Sequence, residues 1–152
     1  MEDFQGAYIE RALDTAALQT ANRRVGTMHL GGMTIECLLK HMIVTYHRVR
    51  GWDLPSVREP GVLVTNPGHD VVAAARRMVR LQDRIDRNPA VRAWLQEIRF
   101  PGRLMHPEPG RVWVTFESAR YDSRLPTDPA YTTWCTAYSE LRKWLLEQMR
   151  TL

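Results

Sequence analysis

Apolar side chains run most continuously from His29 to His47, in the stretch HLGGMTIECLLKHMIVTYH. At helical spacing Met28, Ile35, Leu38, Leu39, Met42, Ile43 and Tyr46 wrap more than half of a cylinder, so this helix belongs at the centre of a bundle. It is expected to end near Arg50-Gly51. Gly31-Gly32 costs helix propensity, about 1 kcal/mol per glycine relative to alanine, and the compensation expected is close approach of another helix. Glu36 and Lys40, four apart, form an i, i+4 ion pair. On so apolar a helix the pair is partly buried, where loss of one partner hurts more than at a surface.

Other amphipathic segments flank this one. A first helix from about Asp3 to Asn22 has an alanine-rich inner face of Phe4, Tyr8, Leu13, Ala16, Ala17 and Leu18. Asn22, Arg23, Arg24 and Gly26 supply a break, with Gly26 in the C-cap region. From Trp52 to Pro67 prolines and glycines make the chain irregular, and Val62-Leu63-Val64 is too short for a strand to be assigned. A third helix runs from Pro67 or Asp70 to Arg87, with Asn66 or Asp70 as its cap and Val71, Ala75, Met78, Leu81 and Ile85 inward. On its flank Arg77, Arg80, Arg84 and Arg87 recur three and four apart. A short helix opens at Asn88-Pro89 and buries Val91, Trp94, Leu95 and Ile98. Residues 101–110 are loop, and 111–119 read equally as edge strand or helical turn. The last helix starts after Thr127-Asp128-Pro129 and continues to about Arg150, with Tyr131, Trp134, Tyr138, Leu141, Leu145 and Met149 on its core face. The fold class is therefore all-α: an antiparallel bundle of four long helices and one short one, in a single domain over residues 1–152.

Composition narrows the partners. A chain of 152 residues with ordinary apolar content can bury a core without disulfides or metal. The net charge of +4 is modest, but nearly all positive charge is arginine, which grips phosphate bidentately and stacks on bases. Nucleic acid or nucleotide is one reading of that excess; an arginine-biased codon composition is the other. Cys37 and Cys135 have no metal-ligand spacing and read as buried free thiols of a reducing compartment. The acidic start lacks the basic region of a signal peptide, and no apolar run reaches membrane-spanning length. A cytoplasmic protein without cofactor or metal is expected.

Several residues also carry a resemblance. Gly31-Gly32 precede Glu36 and Lys40 on the second helix, His69-Asp70 open the third, and Arg120-Tyr121 stand before the last. In this order and separation, over about Ala7 to Trp144, the chain resembles the HEPN domains, helical bundles of bacteria and archaea associated with nucleotide and RNA handling. The resemblance implies a bundle that often dimerises. Several branches are metal-independent ribonucleases in which the arginine and histidine of an Arg-x4-6-His motif meet across the dimer. Others stand beside small nucleotidyltransferases as toxin–antitoxin pairs.

The catalytic motif departs from that pattern. No histidine follows Arg120-Tyr121. The spacing does occur at Arg23 or Arg24 with His29, and at Arg99 with His106. Arginine at about one position in eight and five histidines give roughly two such pairs by chance, so three matches carry no information. RNA cleavage needs a base for the 2′-hydroxyl and donors for the phosphorane, and His29 with Arg24 or Arg120 are the candidates for those tasks. His106, in a loop, is a less rigid alternative to His29. His41 and His47 fall on nearly opposite faces and cannot share a metal.

The remaining polar residues have structural readings: Glu36 with Lys40 as an ion pair, His69-Asp70 as a helix cap, and Tyr121 beside Arg120. The candidate phosphate-binding side is Arg77, Arg80, Arg84, Arg87 and Arg120, although an arginine stripe flanked by Asp83 and Asp86 is also simply a solvated face. Three functions remain open. One is a dimeric HEPN-like module binding nucleotide, RNA or a partner protein without catalysis. Another is a toxin-like ribonuclease, and the third a scaffold whose pairing is anchored by Trp52 or Trp113.

Overall fold

The structure is a computed structural model and describes residues 2–105, 113–121 and 124–152. Helix covers 64% of it and strand 3%, so the chain is all-α. In chain order the helices are α1 (Phe4–Thr20), α2 (Arg24–His47), α3 (Val71–Ala75), α4 (Val79–Asp86), α5 (Pro89–Arg99) and α6 (Asp128–Met149). Among the described residues there are thus three long helices and three shorter ones, with a 3-10 turn at Ser118–Tyr121, rather than four long and one short.

The centre is α2. Ile35, Leu38, Leu39 and Ile43 are fully buried, and α1, α3, α5, α6 and the 3-10 turn all lie against this helix. It begins at Arg24, so Gly26 is inside its first turn; the reversal after α1 is made by Asn22, in the left-handed region at φ 54°. It ends at His47 because Arg48 takes the left-handed conformation at φ 55°, three residues before Gly51.

The glycine pair serves two different neighbours. A Cβ at Gly31 would stand 2.4 Å from the Trp134 ring of α6, and one at Gly32 would stand 2.3 Å from the Phe116 ring. Helix approach explains the first. The second makes room for a loop side chain.

Local signals set several ends. Asn88 accepts from the Val91 N–H at the start of α5, and Thr127 from the Ala130 N–H at the start of α6, each with proline next in or near the first turn. Asp3 caps α1 and Asp70 caps α3, whereas Asn66 caps a turn at Gly68. The apolar faces of α5 and α6 point inward, with Val91, Leu95, Ile98, Trp134, Leu141 and Leu145 buried.

Two expectations fail. On α1, Leu13, Ala16 and Ala17 are exposed, and the buried line runs through Tyr8 and Thr15. Thr15 is accommodated because its hydroxyl donates to the Arg11 carbonyl and lies 3.2 Å from the Thr34 hydroxyl of α2. The third helix is not continuous. Met78 is extended (φ −116°, ψ 102°) between α3 and α4, although its side chain still points inward.

That interruption coincides with the buried ring of His47. Its Nε2–H donates to the Arg77 carbonyl at 2.7 Å, and its Nδ1 lies 2.8 Å from the Ser56 hydroxyl. Ser56 belongs to a small hairpin in which Leu54 pairs with Val64 and Pro55 with Leu63. His47 therefore fastens hairpin, α2 and the α3–α4 junction at one point. Residues 113–121 form a turn and the 3-10 helix with no strand, while 106–112, including His106, lie outside the described residues.

Candidate functional site

On α2, His29, Gly32, Glu36 and Lys40 fall three or four residues apart and so share one face. This face meets the segment around Phe116 and the turn that opens α3. Glu36 is 4% exposed and Lys40 7%, with Lys40 Nζ 2.7 Å from Glu36 Oε1 and 5.8 Å from the centre of the Phe4 ring. The second oxygen of Glu36 accepts from His69 Nδ1–H at 3.0 Å, across 33 residues of chain. Because the carboxylate fixes the proton on Nδ1, His69 turns Nε2 outward on a side chain 54% exposed.

Asp70 extends the network. Its Oδ1 accepts from the Val72 and Ala73 N–H groups, and its Oδ2 pairs with Arg99 of α5 at 2.7 Å. Arg99 lies over the Phe100 ring at 4.9 Å, and its carbonyl accepts from the Phe116 N–H. The Phe116 carbonyl in turn accepts from His29 Nδ1–H at 2.9 Å, leaving Nε2 of His29 without a hydrogen bond among the described residues. Cys37 is only half-buried; burial and then the Glu36 carboxylate hold its thiol above the usual range.

The proposed catalytic residues separate. Arg24 pairs with Asp128 at 2.6 Å, donates to the Pro126 carbonyl at 3.2 Å and lies 5.0 Å from the centre of the Tyr131 ring. It is a tie between the start of α2 and the start of α6. Arg120 is exposed and rests on the Tyr121 ring at 4.7 Å, with Tyr121 itself 78% exposed. Arg120 lies four positions after Phe116, whose carbonyl holds His29.

The arginine stripe is interrupted. Arg77 precedes the break, while Arg80 and Arg87 are exposed on the far side. Arg84 binds the Gln148 and Thr151 side chains at 2.8 Å each and the Thr151 carbonyl, clasping the end of α6. Trp52 is half-buried, tilted against Phe4 at 5.4 Å and donating to Glu2, so it is no free anchor. Trp113 is also half-buried.

The sequence offers no role for Glu97, and for Arg99 only its spacing to His106. Glu97 is fully buried and accepts from the Gly102 and Leu104 N–H groups at 2.7 Å each, shaping the loop after α5. An acid between Trp94 and Ile98 on the apolar face was the available sign. The pairing of Arg99 with Asp70 had none, since Asp70 is a local cap by sequence.

A concavity of about 530 Å³ lies between the start of α1 and the end of α2, lined by Asp3, Phe4, His41, Val44, Arg48 and Arg50 among others. Burial lowers the pKa of His41, with Asp3 opposing. Among the described residues there is no grouping of three or more metal-ligating side chains and no helix long and apolar enough to cross a membrane. No family model, curated protein or solved structure matches the chain.

Proposed function

We propose that this chain is a HEPN-like, dimeric, cytoplasmic module that binds nucleotide or RNA without cleaving it. The observation that supports the reading is the engagement of Arg24, the arginine nearest in sequence to His29, with Asp128 and the Pro126 carbonyl. The exposed Arg77, Arg80, Arg87 and Arg120 supply phosphate contacts. The order of Glu36, Lys40, His69, Asp70, Arg120 and Tyr121 supports the kinship, and with it a nucleotidyltransferase partner of the toxin–antitoxin kind.

Fluorescence anisotropy with labelled single-stranded RNA tests this. With four arginine–phosphate contacts the logarithm of the affinity falls against the logarithm of salt with a slope of about −3, and the RNA is recovered intact. Protein that ignores RNA, DNA and nucleotides at low salt overturns the proposal. Light scattering during size exclusion reads the dimer directly.

A second reading is favoured by one contact. The Phe116 carbonyl holds the proton of His29 on Nδ1 and leaves Nε2 as the acceptor nitrogen, which supports the reading of a metal-independent ribonuclease. It requires RNA cleavage in the presence of chelator, growth arrest on expression, and loss of both in His29→Ala. Cleavage undiminished in that variant removes His29 as the base.

A further inference from the structure

The concavity between the start of α1 and the end of α2 is lined by charges of both signs. The α1 end contributes Glu2 and Asp3, and the chain leaving α2 contributes Arg48 and Arg50. Phe4, Val44 and Val49 add an apolar lining. His41, Val44 and Arg48 fall three and four apart and so share one face of α2.

The two signs do not meet. Neither arginine side chain has a hydrogen bond or ion pair among the described residues, although both line the same hollow as the two acids. Each carboxylate is held by one oxygen only. Glu2 Oε2 accepts from the Trp52 Nε1–H at 2.9 Å, and Asp3 Oδ1 accepts from the Gly6 N–H at 2.8 Å. The backbone fixes the opposite end. Arg48 takes the left-handed cap of α2 at φ 55°, and the Val49 N–H bonds back to the Val44 carbonyl at 3.0 Å. That cap position usually belongs to glycine, so a guanidinium is kept where glycine would suit the backbone better.

We propose that this hollow binds a zwitterion, an α-amino acid or dipeptide with an apolar side chain. Its ammonium meets Glu2 and Asp3, and its carboxylate meets Arg48 and Arg50. A simple anion or cation gains from one pair of charges and is repelled by the other. A molecule carrying both signs gains from both, and its apolar part covers Phe4, Val44 and Val49. Guanidinium forks match a carboxylate, and an ammonium brings three donors to the acids. The volume of about 530 Å³ lies within the range of roughly 300–1,000 Å³ for small-molecule sites. The inference is independent of the RNA and nucleotide reading.

Nuclear magnetic resonance of the full chain, with labelled histidine rings and valine methyls, provides the test. The titrants are leucine, leucyl-leucine, N-acetyl-leucine, which lacks the ammonium, and leucinamide, which lacks the carboxylate. Millimolar zwitterion shifts the His41, Val44 and Val49 signals, and each single-charge analogue binds at least about tenfold more weakly. Arg48→Gly suits the left-handed cap, so it keeps or raises the thermal midpoint while weakening binding about tenfold. Arg50→Gln, at an exposed position, also weakens binding without lowering the midpoint. Preference for leucyl-leucine identifies peptide termini as the source, and preference for leucine identifies a free amino acid; either supports the site.

Silent His41, Val44 and Val49 signals at tens of millimolar of both zwitterions overturn the inference. So does N-acetyl-leucine or leucinamide binding as tightly as the better zwitterion, or inorganic phosphate shifting the same signals at lower concentration. Binding unchanged in both Arg48→Gly and Arg50→Gln overturns it as well.

Discussion

A methyl group at Gly32 would stand 2.3 Å from the Phe116 ring, and Phe116 is fully buried and bonded through both backbone groups, to Arg99 and to His29. Its ring has little room to retreat. Gly32→Ala is expected to destabilise the fold by about 1–3 kcal/mol in urea, against the gain in helix propensity it would show on an exposed helix. Lys40→Met leaves Glu36 buried without its cation, a loss of about 3–5 kcal/mol, whereas the double change Glu36→Gln with Lys40→Met costs less than the two singles summed. Equal additivity in the double-mutant cycle would show that the pair does not act as a unit. His41 adds a pH dependence. Its folded pKa lies below the ordinary value because burial disfavours the imidazolium, so the unfolded chain takes up the proton first. Stability therefore falls as pH drops below the ordinary histidine range, and His41→Asn flattens the denaturation midpoint between about pH 7 and pH 5.

The junction between α3 and α4 shows how an element's length can be settled from outside it. Val71, Ala75, Met78, Leu81 and Ile85 are all buried, so the inward spacing that suggests one helix is real. The periodicity survives because Met78 keeps its inward direction while its backbone is extended. The Arg77 carbonyl, which a continuous helix would use internally, instead takes the Nε2–H of His47 thirty residues earlier. His47→Phe removes that donor and the contact with Ser56, whose hydroxyl keeps only the Glu59 N–H; the unmet buried carbonyl costs about 1–3 kcal/mol. Amide exchange would accelerate first at the hairpin and around Arg77, with the α6 amides remaining protected. On α1 the sequence misleads for a different reason. An alanine-rich helix has little contrast between its sides, so Leu13, Ala16 and Ala17 form as plausible a stripe as Tyr8, Ala12 and Thr15. The Thr34 hydroxyl of α2, with the Arg11 carbonyl, accommodates the buried Thr15.

Across the molecule, α2 connects almost every part: Trp134 lies on Gly31, Phe116 on Gly32, His69 on Glu36 and the hairpin on His47. A chain organised around one rod unfolds as one unit, so circular dichroism and tryptophan fluorescence should give coincident two-state curves. Separate transitions would break that account. By itself the sequence determined the helical class, the central place of α2, the inward faces of α5 and α6, and the caps at Asn88 and Thr127, because period and capping are written within a few residues of where they act. Only the tertiary structure decided where the second oxygen of Glu36 goes, which partner Asp70 finds, that Arg24 is a strut, and where the third helix breaks. Each of these depends on a hydrogen-bond or ion-pair partner tens of residues away, and such pairing leaves no period in the chain.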